Sequence, residues 1–131
     1  TVYAIEHKEE AAVLTERNAE KFGLENLKVI RTHAPEGLND LPAPTHVFIG
    51  GSDGYLLEIL EKLRQKTPCV RVVVTAVSLE TVAMLTELTG TAGYNNVEVV
   101  NLQVSRAKQV GRHHLMQSEN PIYIVSFDMG E

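Results

Sequence analysis

Val47-Phe48-Ile49-Gly50-Gly51-Ser52-Asp53-Gly54 is the stretch on which the fold reading turns. A short apolar run breaks into three glycines, and a helical pattern, Tyr55-Leu56-Leu57-Glu58-Ile59-Leu60, follows at once. Strand, glycine turn and helix N-terminus in that order is how an α/β sheet makes a ligand site. The strand delivers the loop to the sheet's C-terminal edge, glycines let a ligand approach the backbone, and unpaired helix N–H groups face it. An ordinary βα turn has the same local signature, so the flanking sequence has to separate the two.

On the N-terminal side, Val2-Tyr3-Ala4-Ile5 is β-rich and runs into Glu6-His7. Residues 8–22 then place Ala11, Ala12, Leu14, Ala19 and Phe22 at helical spacing, and Gly23 supplies the stop. Leu27-Lys28-Val29-Ile30-Arg31 reads as a second strand ending at Thr32-His33-Ala34-Pro35, and the turn-rich residues 36–44 have room for one helical turn. Residues 45–49 form the third strand.

On the C-terminal side the helix is expected to reach Gln65 before Pro68 breaks the chain. Val70-Arg71-Val72-Val73-Val74-Thr75-Ala76 is almost continuously apolar, which predicts a strand buried on both faces. Ser78 is expected to cap a helix carrying Val82, Leu85 and Leu88. Tyr94-Asn95-Asn96 reads as a turn and residues 97–104 as a strand. Residues 105–120 read as a polar, basic stretch with no steady period. Pro121-Ile122-Tyr123-Ile124-Val125-Ser126-Phe127 is the last strand, with Pro121 where a missing N–H is tolerated. Alternation predicts a mostly parallel sheet flanked by helices, and the helix-free connection at the end predicts a last strand lying antiparallel at an edge. The expectation is a single α/β domain over residues 1–131.

Composition narrows the function. With 44% hydrophobic and 22% charged residues the chain is an ordinary globular sequence. A formal charge of -5 argues against strong non-specific nucleic-acid binding. The single Cys69 excludes an intrachain disulfide and fits a reducing compartment, where it is expected to be a small buried hydrophobe. No apolar run approaches the roughly 20 residues of a membrane helix, so no membrane partner is expected. His113-His114 does not make a metal site, because adjacent histidines point apart on a strand and no Cys or acid completes the set.

Val2-Tyr3-Ala4-Ile5-Glu6, Asn18 followed by Phe22-Gly23, and Ala34-Pro35 together resemble the class I S-adenosylmethionine-dependent methyltransferases. So do Val47-Phe48-Ile49-Gly50-Gly51-Ser52, Leu79-Glu80-Thr81, Val104-Ser105-Arg106 and Asn120-Pro121-Ile122. Their order and spacing are similar to the decarboxylating precorrin methyltransferases, often the C-terminal half of precorrin-6Y C5,15-methyltransferase, and the similarity runs from residue 2 to 127. The resemblance implies a Rossmann-like sheet and S-adenosylmethionine as methyl donor. It also implies C-methylation of a precorrin-6 tetrapyrrole coupled to loss of an acetate carboxyl, in cobalamin biosynthesis, and a cytoplasmic, homo-oligomeric protein. Such proteins open with a strand carrying an Asp-x-Gly-x-Gly loop. This chain begins at Thr1, so the expectation is a truncated domain lacking that first strand. The strands at residues 2–5 and 45–49 would then pair directly or hold a second molecule between them. Rival readings are a class I methyltransferase acting on another small molecule or RNA, and a non-catalytic binding or assembly fragment.

Under the resemblance, Glu6 would accept the ribose hydroxyls, a bidentate role for a carboxylate at a strand's C-terminal end. A helix N-terminal anion favoured by the dipole is its alternative role. His33 and Ala34 fall beside the adenine, and Gly50 and Gly51 beside the donor's amino-acid portion. Ser52 and Asp53 would face the acceptor, although Asp53 also reads as a helix N-cap. Arg106 and Arg112, with Lys108, His113 and His114, would orient an acceptor rich in carboxylates, and a solvated loop is the alternative. Methyl transfer needs positioning and at most one proton shuttle, so no catalytic nucleophile is assigned.

Overall fold

The first strand signal becomes β1 (Val2–Ile5), which pairs in parallel with β2 (Leu27–Ile30), Val2 opposite Leu27 and Ile5 opposite Ile30. Parallel neighbours need a crossover, and α1 (Glu9–Lys21) supplies it, burying Ala12 and Ala19. Its end follows the expected chemistry. Gly23 adopts φ 64, its N–H donates to the Glu20 carbonyl, and the Leu24 N–H donates to the Ala19 carbonyl. These two bonds form a Schellman motif, in which glycine avoids the Cβ penalty of the left-handed region. Glu36–Leu38 forms a 3₁₀ turn, and α2 (Leu56–Lys66) buries Leu56, Ile59, Leu60 and Leu63 as one stripe. The computed structural model describes residues 1–130. These elements make one of its two compact units, residues 1–43 with 52–66; residues 44–51 with 67 onward make the other.

In the second unit β3 (His46–Ile49) lies parallel to β4 (Cys69–Ala76). β4 in turn pairs antiparallel with β8 (Ile122–Gly130), and β8 pairs antiparallel with β5 (Tyr94–Leu102). The last strand is thus antiparallel as expected, but it sits inside the order β3-β4-β8-β5 rather than at an edge. Burial explains this. β8 buries Val125, Phe127 and Met129, whereas Val97, Val99, Val100 and Leu102 of β5 are exposed, so β8 takes the interior place. β4 alternates rather than burying both faces: Val70, Val72, Val74 and Ala76 are buried, and Arg71, Val73 and Thr75 are only partly so. α3 (Leu79–Thr89) lies on this sheet with Leu85 fully buried, and the Ser78 hydroxyl accepts from the Thr81 N–H as the expected N-cap.

Four further expectations are corrected. Residues 105–120 hold a hairpin, β6 (Ser105–Val110) and β7 (His113–Ser118), turning at Gly111 with φ 61. Both faces are exposed, so no apolar alternation marked it. Tyr94-Asn95-Asn96 belongs to β5. The turn-like character of Asn96, with φ 50, is taken up by a bulge where the register shifts between Asn95 and Glu98. Cys69 is exposed, because it opens β4 at the sheet's end opposite Gly130. Among the described residues β1 is bonded to β2 and β3 to β4, and the direct β1–β3 pairing, one of the two expected arrangements, is absent.

On the partly exposed face of the four-stranded sheet, one polar network ties three strands. Arg71 of β4 donates to Asp128 (3.2 Å) and Ser126 (2.9 Å) of β8 and to the Asn96 carbonyl (3.1 Å) of β5. The Asn96 side-chain amide donates to Asp128 at 2.6 Å. The Asn96 hydrogen bond, with the Arg71 hydrogen bond and charge and the His46 charge, holds the Asp128 carboxyl below the usual range against a smaller opposing cost of desolvation.

Candidate functional site

Parallel strands place their C-terminal ends side by side, and in the first unit those ends carry Glu6 and His33. The Glu6 N–H extends the ladder by donating to the Ile30 carbonyl at 3.0 Å. Its carboxylate Oε1 accepts from the Lys8 N–H at 2.8 Å, at the start of α1, where Lys8 itself provides no side-chain cap. Glu6 therefore fills the helix-N-terminal role open to it from sequence, and this bond engages one of its two oxygens. His33 follows β2, its carbonyl accepting from the Gly37 N–H at 2.9 Å, and the next peptide, Ala34–Pro35, is cis.

Asp53 is not a helix cap. The Ser52 carbonyl accepts from the Tyr55 N–H at 2.8 Å, while Asp53 and Gly54 have φ 47 and 91, and α2 begins only at Leu56. Positive φ at both central residues is the signature of a type I′ turn, for which Asp-Gly is a favoured pair. Freed from capping, the Asp53 carboxylate points at a residue that no motif singled out. His7 Nε2 lies 3.6 Å from Asp53 Oδ2, and His7 Nδ1 lies 3.7 Å from Glu6 Oε1. The His7 ring also stacks on His33, with centroids 4.1 Å apart and planes 18° from parallel. His7 thus brings Glu6, His33 and Asp53 together. The available signal was its place directly after a strand-terminal acid. Among the described residues no group of three or more His, Cys, Asp or Glu is arranged to hold a metal ion.

The remaining predicted residues lie in the second unit, except Ser52, whose carbonyl begins the turn just described. Gly50 and Gly51 leave β3, and the Gly50 carbonyl accepts from Thr75 Oγ1 at 3.4 Å. A Cβ at Gly50 would come 3.0 Å from the Phe48 ring, whereas one at Gly51 would meet nothing within 4 Å. Arg106 lies on β6 and Arg112 in the β6–β7 turn, in a two-stranded hairpin whose sheet is separate from the one that Gly50 and Gly51 follow. The register places Arg106, Lys108 and His113 on one face of that hairpin. His113 and His114, adjacent in β7, project to opposite faces.

Comparison with known proteins places these observations in context. The sequence profile described as a precorrin methyltransferase domain matches residues 1–128. A protein of Pyrobaculum calidifontis named probable cobalt-precorrin-6B C(15)-methyltransferase (decarboxylating) is 36% identical over 126 residues, covering 95% of this chain and 64% of that protein. The crystal structure of precorrin-6y C5,15-methyltransferase from Geobacter metallireducens superposes with a TM-score of 0.81 at 35% identity, covering 95% of this chain and 64% of the other. A crystal structure from Methanobacterium thermoautotrophicum, described as precorrin 8w decarboxylase, superposes with a TM-score of 0.82 at 34% identity, over 99% of this chain and 69% of the other. The chain spans slightly under two thirds of the length of the first two.

Proposed function

This chain belongs to the precorrin methyltransferase family, and on that premise we propose that it serves S-adenosylmethionine-dependent C-methylation of a precorrin-6 macrocycle, coupled to loss of an acetate carboxyl. The observation that carries the reading is the placement of Glu6 and His33 at adjacent C-terminal ends of parallel strands, with Asp53 brought to them through His7. This is where open α/β sheets bind nucleotides.

The residue chemistry fits an adenosine-bearing donor. The Glu6 carboxylate keeps acceptor capacity beyond the bond to Lys8 and can take both ribose hydroxyls. His33 and Ala34 flank the adenine. Gly50 and Gly51 leave room for the donor's amino-acid portion, Gly51 most plainly, since no atom stands within 4 Å of where its Cβ would be. When bound, S-adenosylmethionine supplies an electrophilic sulfonium methyl group. The chain's contribution is to hold the accepting carbon in line with it and keep water away. Ser52 and Asp53 face the acceptor, and the cations Arg106 and Arg112 orient its peripheral carboxylates by charge-assisted hydrogen bonds. No side-chain nucleophile enters the chemistry.

The protein works in the cytoplasm as a homo-oligomer. The exposed apolar residues of β5, together with Leu115 and Met116 on the hairpin, support self-association. The test is titration calorimetry of S-adenosylhomocysteine with the full natural polypeptide, followed by turnover of a precorrin-6 substrate read by mass spectrometry. Binding, together with a product that has gained a methyl group and lost carbon dioxide, is expected. No binding would sink the reading, and methylation without loss of carbon dioxide would move it to another methyltransferase reaction.

A further inference from the structure

The cluster around His7 carries more than the assignments above. A neutral imidazole has one N–H and one lone pair, so it can satisfy only one of two carboxylates set at its opposite nitrogens. Here Nδ1 lies 3.7 Å from Glu6 Oε1 and Nε2 lies 3.6 Å from Asp53 Oδ2, so the two edges of one ring each face a carboxylate from a different element. Its flat face is covered by His33, which fixes the ring plane between the two acids. The turn reports the same constraint from the other side. Asp53 sits at φ 47, in the left-handed region that costs a side chain but not glycine, with its carboxylate turned to His7. The charged and titratable groups facing the ring are thus Glu6 from the end of β1, Asp53 from the turn before α2, and His33 from the end of β2.

We propose that His7 is a positioning residue that locks the Asp53-Gly54 turn onto the Glu6 carboxylate, so that engaging the donor's ribose and setting the acceptor-facing Asp53 are a single event. The role rests on the donor reading of Glu6 given above. His7 touches neither reacting atom. It holds the two carboxylates at a set separation, which lets Glu6 take a diol while Asp53 stays in place.

The experiment is calorimetry of S-adenosylhomocysteine with the full natural polypeptide for wild type, His7→Gln, Asp53→Gly and the double variant, with Glu6→Gln as control. Asp53→Gly is the informative change, because glycine suits the turn's backbone and removes only the carboxylate. Each single variant should weaken binding by about fivefold, the upper range for a partly exposed charge pair. The double variant should be no weaker than either alone, since both remove the same link. In the ligand-free protein, His7→Gln should also shift the amide resonances of Ser52 and Gly54. Should His7→Gln fold poorly, Asp53→Gly and Asp53→Asn carry the same prediction. Losses that simply add, or unshifted turn resonances, would overturn the linkage. If Glu6→Gln weakens binding and neither His7 nor Asp53 variants do, the His7 role falls and the donor site stands. If wild type itself fails to bind, the donor reading falls and the His7 role with it.

Discussion

Gly51→Ala separates a ligand-driven glycine from a conformational one. Of the glycines in the 50–54 stretch, Gly54 needs φ 91, and Gly50 would set a Cβ 3.0 Å from the Phe48 ring. Gly51 has neither constraint: it is not in the left-handed region, and an added methyl would meet nothing within 4 Å. In the free protein alanine should therefore stabilise by restricting the unfolded chain, about 0.4–1 kcal/mol, or roughly 2–4 °C in Tm for a chain of this size. If the donor approaches the backbone there, the methyl must overlap it. Overfilling a close contact costs about 1–3 kcal/mol, or roughly 5- to 150-fold in Kd. Thermal unfolding and calorimetry with S-adenosylhomocysteine on the same preparation read both effects. A raised Tm with unchanged affinity would refute the claim that anything approaches Gly51. A lowered Tm would refute the reading of its surroundings.

Other positions give sharper single readouts. Glu6→Gln keeps an acceptor for the Lys8 N–H but removes the charge. It should cost at most about 1 kcal/mol of stability while weakening S-adenosylhomocysteine by roughly 10- to 100-fold, measured by calorimetry. Asp128→Asn should lower Tm at neutral pH. The wild-type carboxyl is held below its ordinary value, so its contribution is complete above the unfolded-state value of about 3.9 and is lost as pH falls through the folded value. The Tm gap should therefore shrink below about pH 4, and a gap unchanged down to pH 2 would contradict this. Gly130→Ala puts a Cβ against the Pro68 carbonyl oxygen at φ 143, with backbone on both sides of the contact. A loss of about 3 kcal/mol, near 10 °C in Tm, is expected. Arg106→Glu with Arg112→Glu should weaken tetrapyrrole binding by about three- to tenfold in a fluorescence titration, leaving S-adenosylhomocysteine affinity unchanged.

What could be read in advance was whatever a few neighbouring residues determine. Gly23 ended α1 and Ser78 capped α3 because each acts on amides within a turn of itself. The strand order was not readable in this way. Whether β8 or β5 takes the interior position depends on the buried surface each offers to strands distant in sequence, and Val125, Phe127 and Met129 outweigh β5's exposed valines. The β6–β7 hairpin escaped because an element exposed on both faces has no inward side to impose a period. The expectation of a buried Cys69 rests on a residue-type preference that says nothing about a position at the end of a strand.

Asp53 shows how a local rule can select the right residue for the wrong reason. A short acidic side chain just before a helix is a good cap, and the same type is among the few tolerated at φ 47 in a type I′ turn. Both explanations predict Asp at this position, and only the three-dimensional partner separates them. A capping carboxylate would be spent on amides of α2, whereas this one faces the His7 imidazole, which in turn faces Glu6. The stretch from Val47 to Gly54 is therefore two devices in succession. Gly51 leaves open space after β3, and Asp53-Gly54 turns the chain so that a carboxylate reaches the end of β1. Reading the stretch as one glycine-rich loop assigns all its residues to ligand approach. On the proposed reading that role falls to Gly51, and Asp53 holds the donor's carboxylate partner in register.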